Sequence, residues 1–527
     1  MAVLDNSVLS FKCALYCTLL MRPRTYTTHY SRKKMKNLHD NSQTKNRVPL
    51  LGSGVPGLDE VLDGGFPRHS LYLIQGLAGS GKTTLACQIG FDHAAKGAKV
   101  LILTLIAETH GKMLNHLSNF SFFNEELVGQ NILLFGGYNE LAKGGLDALL
   151  KLITDILAKH GANILIIDGF RSVRNSSPST ISLSEFMLSL NSLVSSMQCT
   201  TFLLSPTEGN IADSENTLVD GLIELSQHEK GMQLIREIKV FKIRGAKHLL
   251  GRHVFEVGQG GIVVYPRLEA ISTANRILDG ASDVVLGFGI PGWNKITGGG
   301  VIKGSTTELL GNPGVGKTLM GLHFIYEGLQ RGEHCLIVGF YESPPRLIAQ
   351  AHNINIDLAK FVDNGQLQII WNPPLEISVD ALAHQVLENI GQRKVSRLLV
   401  DGMDGLLDII MHVGRSRSFL TAFVNELRSR QVTSFFTREL PYVGKLPESC
   451  ESGPSSILYE NIMLLQYVEI NGVNHRKIAV LKLRQNSYDS ANHILLISNN
   501  GVSIGNPLSI EKLAQEIVKS NAVSNEP

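Results

Sequence analysis

Two octapeptides have the residue types needed to hold a chain of phosphates. Gly76-Leu77-Ala78-Gly79-Ser80-Gly81-Lys82-Thr83 and Gly311-Asn312-Pro313-Gly314-Val315-Gly316-Lys317-Thr318 both fit G-x-x-x-x-G-K-[ST] without departure. Glycines let consecutive backbone N–H groups turn inward around an anion. A helix beginning at the lysine points the positive end of its dipole at the same anion. Lys82 and Lys317 are placed to meet β- and γ-phosphate oxygens, and Thr83 and Thr318 to ligate Mg²⁺. The expected ATP contacts are thus Gly76, Gly79, Ser80, Gly81, Lys82, Thr83 and Thr84 at one site. At the other they are Gly311, Gly314, Val315, Gly316, Lys317, Thr318 and Leu319. A chance glycine loop is the competing reading. It fails on repetition, because Lys82 and Lys317 stand 235 residues apart and the flanking glycines keep that spacing.

Carboxylates recur with the loops. Asp168 ends the apolar run ILIID and Asp401 ends RLLVD. An aspartate at the C-terminal end of a strand beside a phosphate loop can hold the Mg²⁺ shell. The plainer alternative is an aspartate that starts a turn before Gly169 or Gly402. Glu108 and Glu342 each follow the next strand after a loop, 234 residues apart. A glutamate there can orient water in line with the γ-phosphate; otherwise it is a solvated loop residue.

These residues need a scaffold, and the sequence supplies it twice. Residues 54–70 (GVPGLDEVLDGGFPRHS) and 289–305 (GIPGWNKITGGGVIKGS) align at the same offset. A repeat this long is a duplicated unit of about 220 residues, large enough for its own core. In the first half, strands are expected at Leu71–Gln75, Val100–Leu105 and Asn163–Ile167, with helices at Lys82–Lys96 and Leu146–His160. The second half repeats them as strands Thr306–Leu310, Cys335–Gly339 and Arg397–Val400 and helices Leu319–Gln330 and Ala381–Ile390. Apolar strands alternating with helices predict an α/β fold: in each half, a mostly parallel sheet flanked by helices. The expected boundaries are a basic tail at 1–47, domains at 48–268 and 284–505, a polar linker at 269–283 and a short tail at 506–527.

Composition removes several classes. The 527 residues are 43% hydrophobic and 18% charged, which excludes a largely disordered chain. A net charge of +2 excludes a polycation. The six cysteines include no C-x-x-C pair, so neither a disulfide scaffold nor a structural zinc site is expected, and reduced thiols fit a cytoplasmic protein. No run approaches the ~20 apolar residues of a membrane span. Residues 1–47 carry nine Lys/Arg and two Asp. They read as a basic tail, as a start beyond the true one at Met21 or Met35, or as an organelle-targeting peptide.

The chain resembles the KaiC-like family of tandem RecA-fold ATPases, to which the circadian clock kinases belong. The resemblance covers about residues 48–505. It is carried by both loops, ILIIDG and LLVDG, VFKIRGAKHLLGRHVFEV and, most specifically, LLQYVEINGVNHRKIAVLKLRQNSYD at Leu464–Asp489. It implies two RecA-like domains and a homohexamer with ATP between neighbours. Lys242 and Arg244 in VFKIRG, and Lys482 and Arg484 in VLKLRQ, alternate and so share a face of a strand. The resemblance implies that they reach the γ-phosphate held by the next subunit. It also places phosphoryl acceptors at Ser456, preceded by Ser455. The family pattern has two adjacent glutamates where this chain has Ala107-Glu108 and Tyr341-Glu342. The single glutamate favours hydrolysis over serine phosphorylation. Three readings stand at this point: an ATPase ring with regulatory partners and serine autokinase activity, a RecA/RadA- or helicase-type nucleic-acid-dependent ATPase, and a nucleotide-gated scaffold with little turnover. No basic stripe interleaved with aromatics supports nucleic acid as a partner.

Overall fold

The computed structural model describes residues 49–105, 110–207, 214–230, 233–271, 283–373, 377–410, 412–440, 458–470, 472–484 and 486–507. Glu108, Ser455, Ser456, residues 1–47 and residues 508–527 lie outside them, whereas the first two residues of the expected C-terminal tail belong to the strand Gly501–Pro507. The chain forms two compact units, and Arg267 opens the second.

In the first unit the chain runs through β1 (Leu71–Gly76), α1 (Lys82–Ala95), β2 (Val100–Thr104), β3 (Ile132–Gly136) and α2 (Tyr138–His160). It continues through β4 (Ile164–Asp168), α3 (Thr180–Ser196), β5 (Thr200–Ser205), β6 (Gly221–Lys230), β7 (Gln233–Ile243), β8 (Arg252–Gly258) and β9 (Gly261–Tyr265). The described residues form a nine-stranded sheet of order β9-β8-β7-β6-β1-β5-β4-β2-β3. β1 pairs in parallel with both β5 and β6, and β2 with both β3 and β4. β8 pairs antiparallel with both β7 and β9.

The second unit repeats this plan. Its parts are β10 (Thr306–Gly311), α4 (Lys317–Gln330), β11 (Cys335–Gly339), β12 (Leu367–Trp371), α5 (Val379–Arg393) and β13 (Arg397–Asp401). Then come α6 (Ser416–Ser429), β14 (Thr433–Glu439), β15 (Asn461–Ile470), β16 (Val473–Leu483), β17 (His493–Ser498) and β18 (Gly501–Pro507). The strand order is β12-β11-β13-β14-β10-β15-β16-β17-β18.

Strand alternation builds a core on each face. Val100, Ile102, Ile164 and Ile166 pack with the α1 residues Leu85 and Ile89. Leu101, Leu103, Leu165 and Ile167 pack on the other face with Ile153 of α2 and Leu190 of α3. Burial on both faces explains why these strands read as continuous apolar runs. In the second unit Ile337 and Leu399 face α4, while Leu336, Val338, Leu398 and Val400 face α5 and α6.

The helix after each loop is fastened to the antiparallel wing by one side chain. The amide of Gln88 donates to Ile262 O at 3.1 Å and its carbonyl accepts from Ile262 N at 2.7 Å. At the same repeat position His323 Nε2 accepts from Val502 N at 3.0 Å. Gly261 and Gly501, both at positive φ, let the hairpin approach these side chains; a Cβ at either would collide with them.

The structure differs from the sequence expectation in several places. α2 begins at Tyr138 rather than Leu146, with a non-helical break at Gly145. The edge strands and wings are additional to the expected core, since short runs such as Ile132–Gly136 carry little periodic signal. The first three residues of the expected linker lie in the helical turn Leu268–Ile271. Glu269 and the buried Asp380 both accept from Arg415, at 2.7 to 2.9 Å.

Candidate nucleotide sites

Because the central strands are parallel, the C-terminal ends of β1, β2 and β4 lie together at one end of the sheet, as do those of β10, β11 and β13. Each phosphate loop leaves that end and runs straight into a helix. Gly81 and Gly316 cap the helices at φ 97° and 110°.

In both loops the lysine folds back over its own loop. Lys82 Nζ donates to Gly76 O and Leu77 O at 2.8 and 2.9 Å. Lys317 Nζ donates to Gly311 O and Asn312 O, each at 2.9 Å. Burial pulls both lysines below the ordinary lysine range; Asp168 opposes this at Lys82, and Glu439, Asp401 and Asp404 oppose it at Lys317. The loops differ at one buried position. The Ser80 hydroxyl is enclosed under the first loop, whereas Val315 packs into the core beneath the second.

The strand-end aspartates meet the loop threonines. Thr83 Oγ1 donates to Asp168 Oδ2 at 2.8 Å, and Thr318 Oγ1 to Asp401 Oδ2 at 2.9 Å. Asp401 also accepts from Thr437 Oγ1 at 2.6 Å, and Thr437 Oγ1 accepts from Gly402 N at 2.9 Å. Burial pushes Asp401 above the usual carboxylate range, against the pull of Thr437, Thr318 and Lys317, and the charge of Glu342 adds to the rise. Glu342 therefore belongs to the electrostatic surroundings of Asp401. Tyr341, standing in place of a first glutamate, lays its ring over Gly402.

A hydroxyl and a carboxylate in contact, beside a loop built for phosphates, suit a hard oxygen-seeking cation such as Mg²⁺. Among the described residues no three His, Cys, Asp or Glu converge on one point. Such a cation would need phosphate oxygens among its ligands and would arrive with the nucleotide.

The paired cations lie at the other end of each sheet. Lys242 Nζ and Arg244 Nη2 donate to Thr217 O at 3.1 and 3.0 Å. Arg244 is also 3.6 Å from Asp220, whose carboxylate accepts from the amide of Leu71, the first residue of β1. Lys482 Nζ donates to Tyr459 O at 2.6 Å, and the adjacent Glu460 accepts from Thr306 N, the first residue of β10, at 2.9 Å. Burial lowers the pKa of Lys242 and Lys482, and the neighbouring Arg244 and Arg484 lower it further. The loops begin where these same strands end. At the rise of a strand, five residues separate the two ends by about 17 Å.

Thr437, Glu439, Asp220 and Glu460 escaped the sequence reading. The polar triplet Thr437-Arg438-Glu439 after the apolar SFF was the available signal for the first two.

Two such sheets, each with a phosphate loop and a strand-end aspartate, define a tandem P-loop ATPase. The family description "ATPase: KaiC" matches residues 51–269 and again 286–509, and the chain belongs to the KaiC ATPase family. It is a nucleotide-binding protein with two such domains. It is similar to the circadian clock oscillator protein KaiC of Parathermosynechococcus lividus, 27% identical over 87% of this chain and 85% of that one. It is likewise similar to the proteins of that name from Parasynechococcus marenigrum (25%, over 88% and 92%) and Prochlorococcus marinus (25%, over 88% and 94%). None of the described helices is long and apolar enough to cross a membrane.

Proposed function

We propose that the chain is a Mg²⁺-dependent ATPase that works as a homohexameric ring in the cytoplasm, each loop completed by a neighbour's cations, with turnover serving a regulatory role. The observation that carries this reading is the separation of Lys242/Arg244 and Lys482/Arg484 from their own loops. A strand's length of about 17 Å exceeds the reach of either side chain. Two basic residues kept at matching places in both halves, yet unable to meet their own phosphates, fit the loop of another copy.

In this scheme Lys82 and Lys317 hold the terminal phosphate. Thr83 with Asp168, and Thr318 with Asp401, would hold the cation, which when bound neutralises charge on the transferred phosphoryl group. Glu108 and Glu342 orient the attacking water. Lys242, Arg244, Lys482 and Arg484 stabilise the transition-state charge from the adjacent subunit, a role worth ~10³–10⁵ in rate in related enzymes. Transfer to Ser456 or Ser455 is the minor reaction, because Glu342 alone must serve both water and a serine hydroxyl. A regulatory role accords with the clock-oscillator name of the relatives.

Light scattering with ATP and Mg²⁺, coupled to phosphate release, tests the proposal. A six-copy mass with turnover is expected; a single-copy mass at saturating ATP would sink it.

A further inference from the structure

The strand between Asp401 and the second phosphate loop ends on a charge where the first half has a proline. Glu439 closes β14 in register with Gly311, and the next amide, Leu440 N, donates to Gly311 O at 3.0 Å. In the first unit Thr207 N donates to Gly76 O at 3.3 Å, so Pro206 occupies the place of Glu439. The strand end is anchored, because Glu439 N donates to Asp404 Oδ2 at 2.9 Å. Behind it Arg438 lies 3.8 Å from both Asp404 and Glu308, the latter fully buried within β10. The first unit has Leu73 and Ser205 in the places of Glu308 and Arg438. The second unit thus uses a set of charged residues to fix a strand end that is uncharged in the first. Gly311 O, which accepts from Leu440 N, also accepts from Lys317 Nζ at 2.9 Å, and the Glu439, Asp401 and Asp404 charges all favour the Lys317 ammonium.

A carboxylate on the strand end next to the Gly311 carbonyl that Lys317 Nζ also uses has a definite consequence. The γ-phosphate of a triphosphate brings negative charge to that lysine, and a diphosphate does not extend as far. Like charges near one another repel. Resting on the reading that the second loop binds ATP, we propose that Glu439 is a specificity-determining residue that weakens triphosphate relative to diphosphate binding at the second site. Arg438, Glu308 and Asp404 act as positioning residues for it. Among the described residues the first site has the uncharged Pro206 in that place, so it is expected to hold ATP more readily than the second.

The test uses the full chain carrying Lys82→Ala, which leaves one working loop. Titration calorimetry with Mg²⁺ compares ADP with a non-hydrolysable ATP analogue. Glu439→Gln keeps the volume and removes the charge at an exposed side chain. The analogue should bind about tenfold tighter, with ADP unchanged within about twofold. Pro206→Glu in a Lys317→Ala chain should shift the first site toward ADP by a similar factor. A Glu439→Gln ratio equal to that of the parent, or equal changes for both nucleotides, overturns the proposal and leaves the ATP reading intact. An unchanged ratio in Pro206→Glu also counts against it. A Lys82→Ala parent that binds neither nucleotide overturns both.

Discussion

Thr437 donates to one oxygen of Asp401 at 2.6 Å while Thr318 donates to the other at 2.9 Å. The register of the first sheet sets Leu204 beside Asp168 where Thr437 stands beside Asp401. The metal-side carboxylates therefore have different supports in the two halves. Thr437→Val keeps the volume and removes the hydroxyl. In a Lys82→Ala chain it should cut phosphate release about tenfold, the cost of one hydrogen bond to a charged group. The Mg²⁺ needed for half-maximal rate should rise with it. Phosphate release measured against Mg²⁺ concentration checks both.

The two loops should titrate as separate sites. Lys82→Ala should lower ATP stoichiometry from two per chain to one, Lys317→Ala should do the same, and the double variant should bind none. Calorimetry at constant Mg²⁺ gives the counts. Two sites retained in the double variant would remove both loop assignments.

Burial lowers the pKa of Lys317 below its value in the unfolded chain. Between the folded and the higher unfolded pKa, the unfolded chain binds more protons, so stability of the nucleotide-free second half rises as pH rises. ATP favours the ammonium. Its affinity should therefore fall across that alkaline window, beginning below the ordinary lysine range. The rise in melting temperature produced by ATP, followed against pH in a Lys82→Ala chain, should shrink there.

The parts legible in the sequence were those written by local chemistry. Gly76–Thr83 and Gly311–Thr318 announce themselves because a phosphate loop needs contiguous glycines followed by lysine and a hydroxyl. ILIID and RLLVD read as strands because burial on both faces demands unbroken apolar runs. Thr437 and Glu439 were not legible, since their roles come from the register of β14 against β13, 36 positions away, and against β10, more than a hundred positions away. The start of α2 was missed because Gly144 and Gly145 interrupt the helical pattern between Tyr138 and Leu146. Arg415's bonds to Glu269 and Asp380 were likewise hidden, being ion pairs that no periodicity encodes.

If each site takes its cations from another copy, two variants that are each inactive should restore one another when mixed. Two proteins are prepared in a Lys82→Ala background. One carries Lys317→Ala and keeps its cations; the other carries Lys482→Ala with Arg484→Ala and keeps its second loop. Each alone should release little phosphate. Mixed with ATP and Mg²⁺, an intact loop meets intact cations across a subunit boundary, and release should rise several-fold above the mean of the two parents. Release that stays at that mean at every mixing ratio would show that the cations do not act across the subunit boundary.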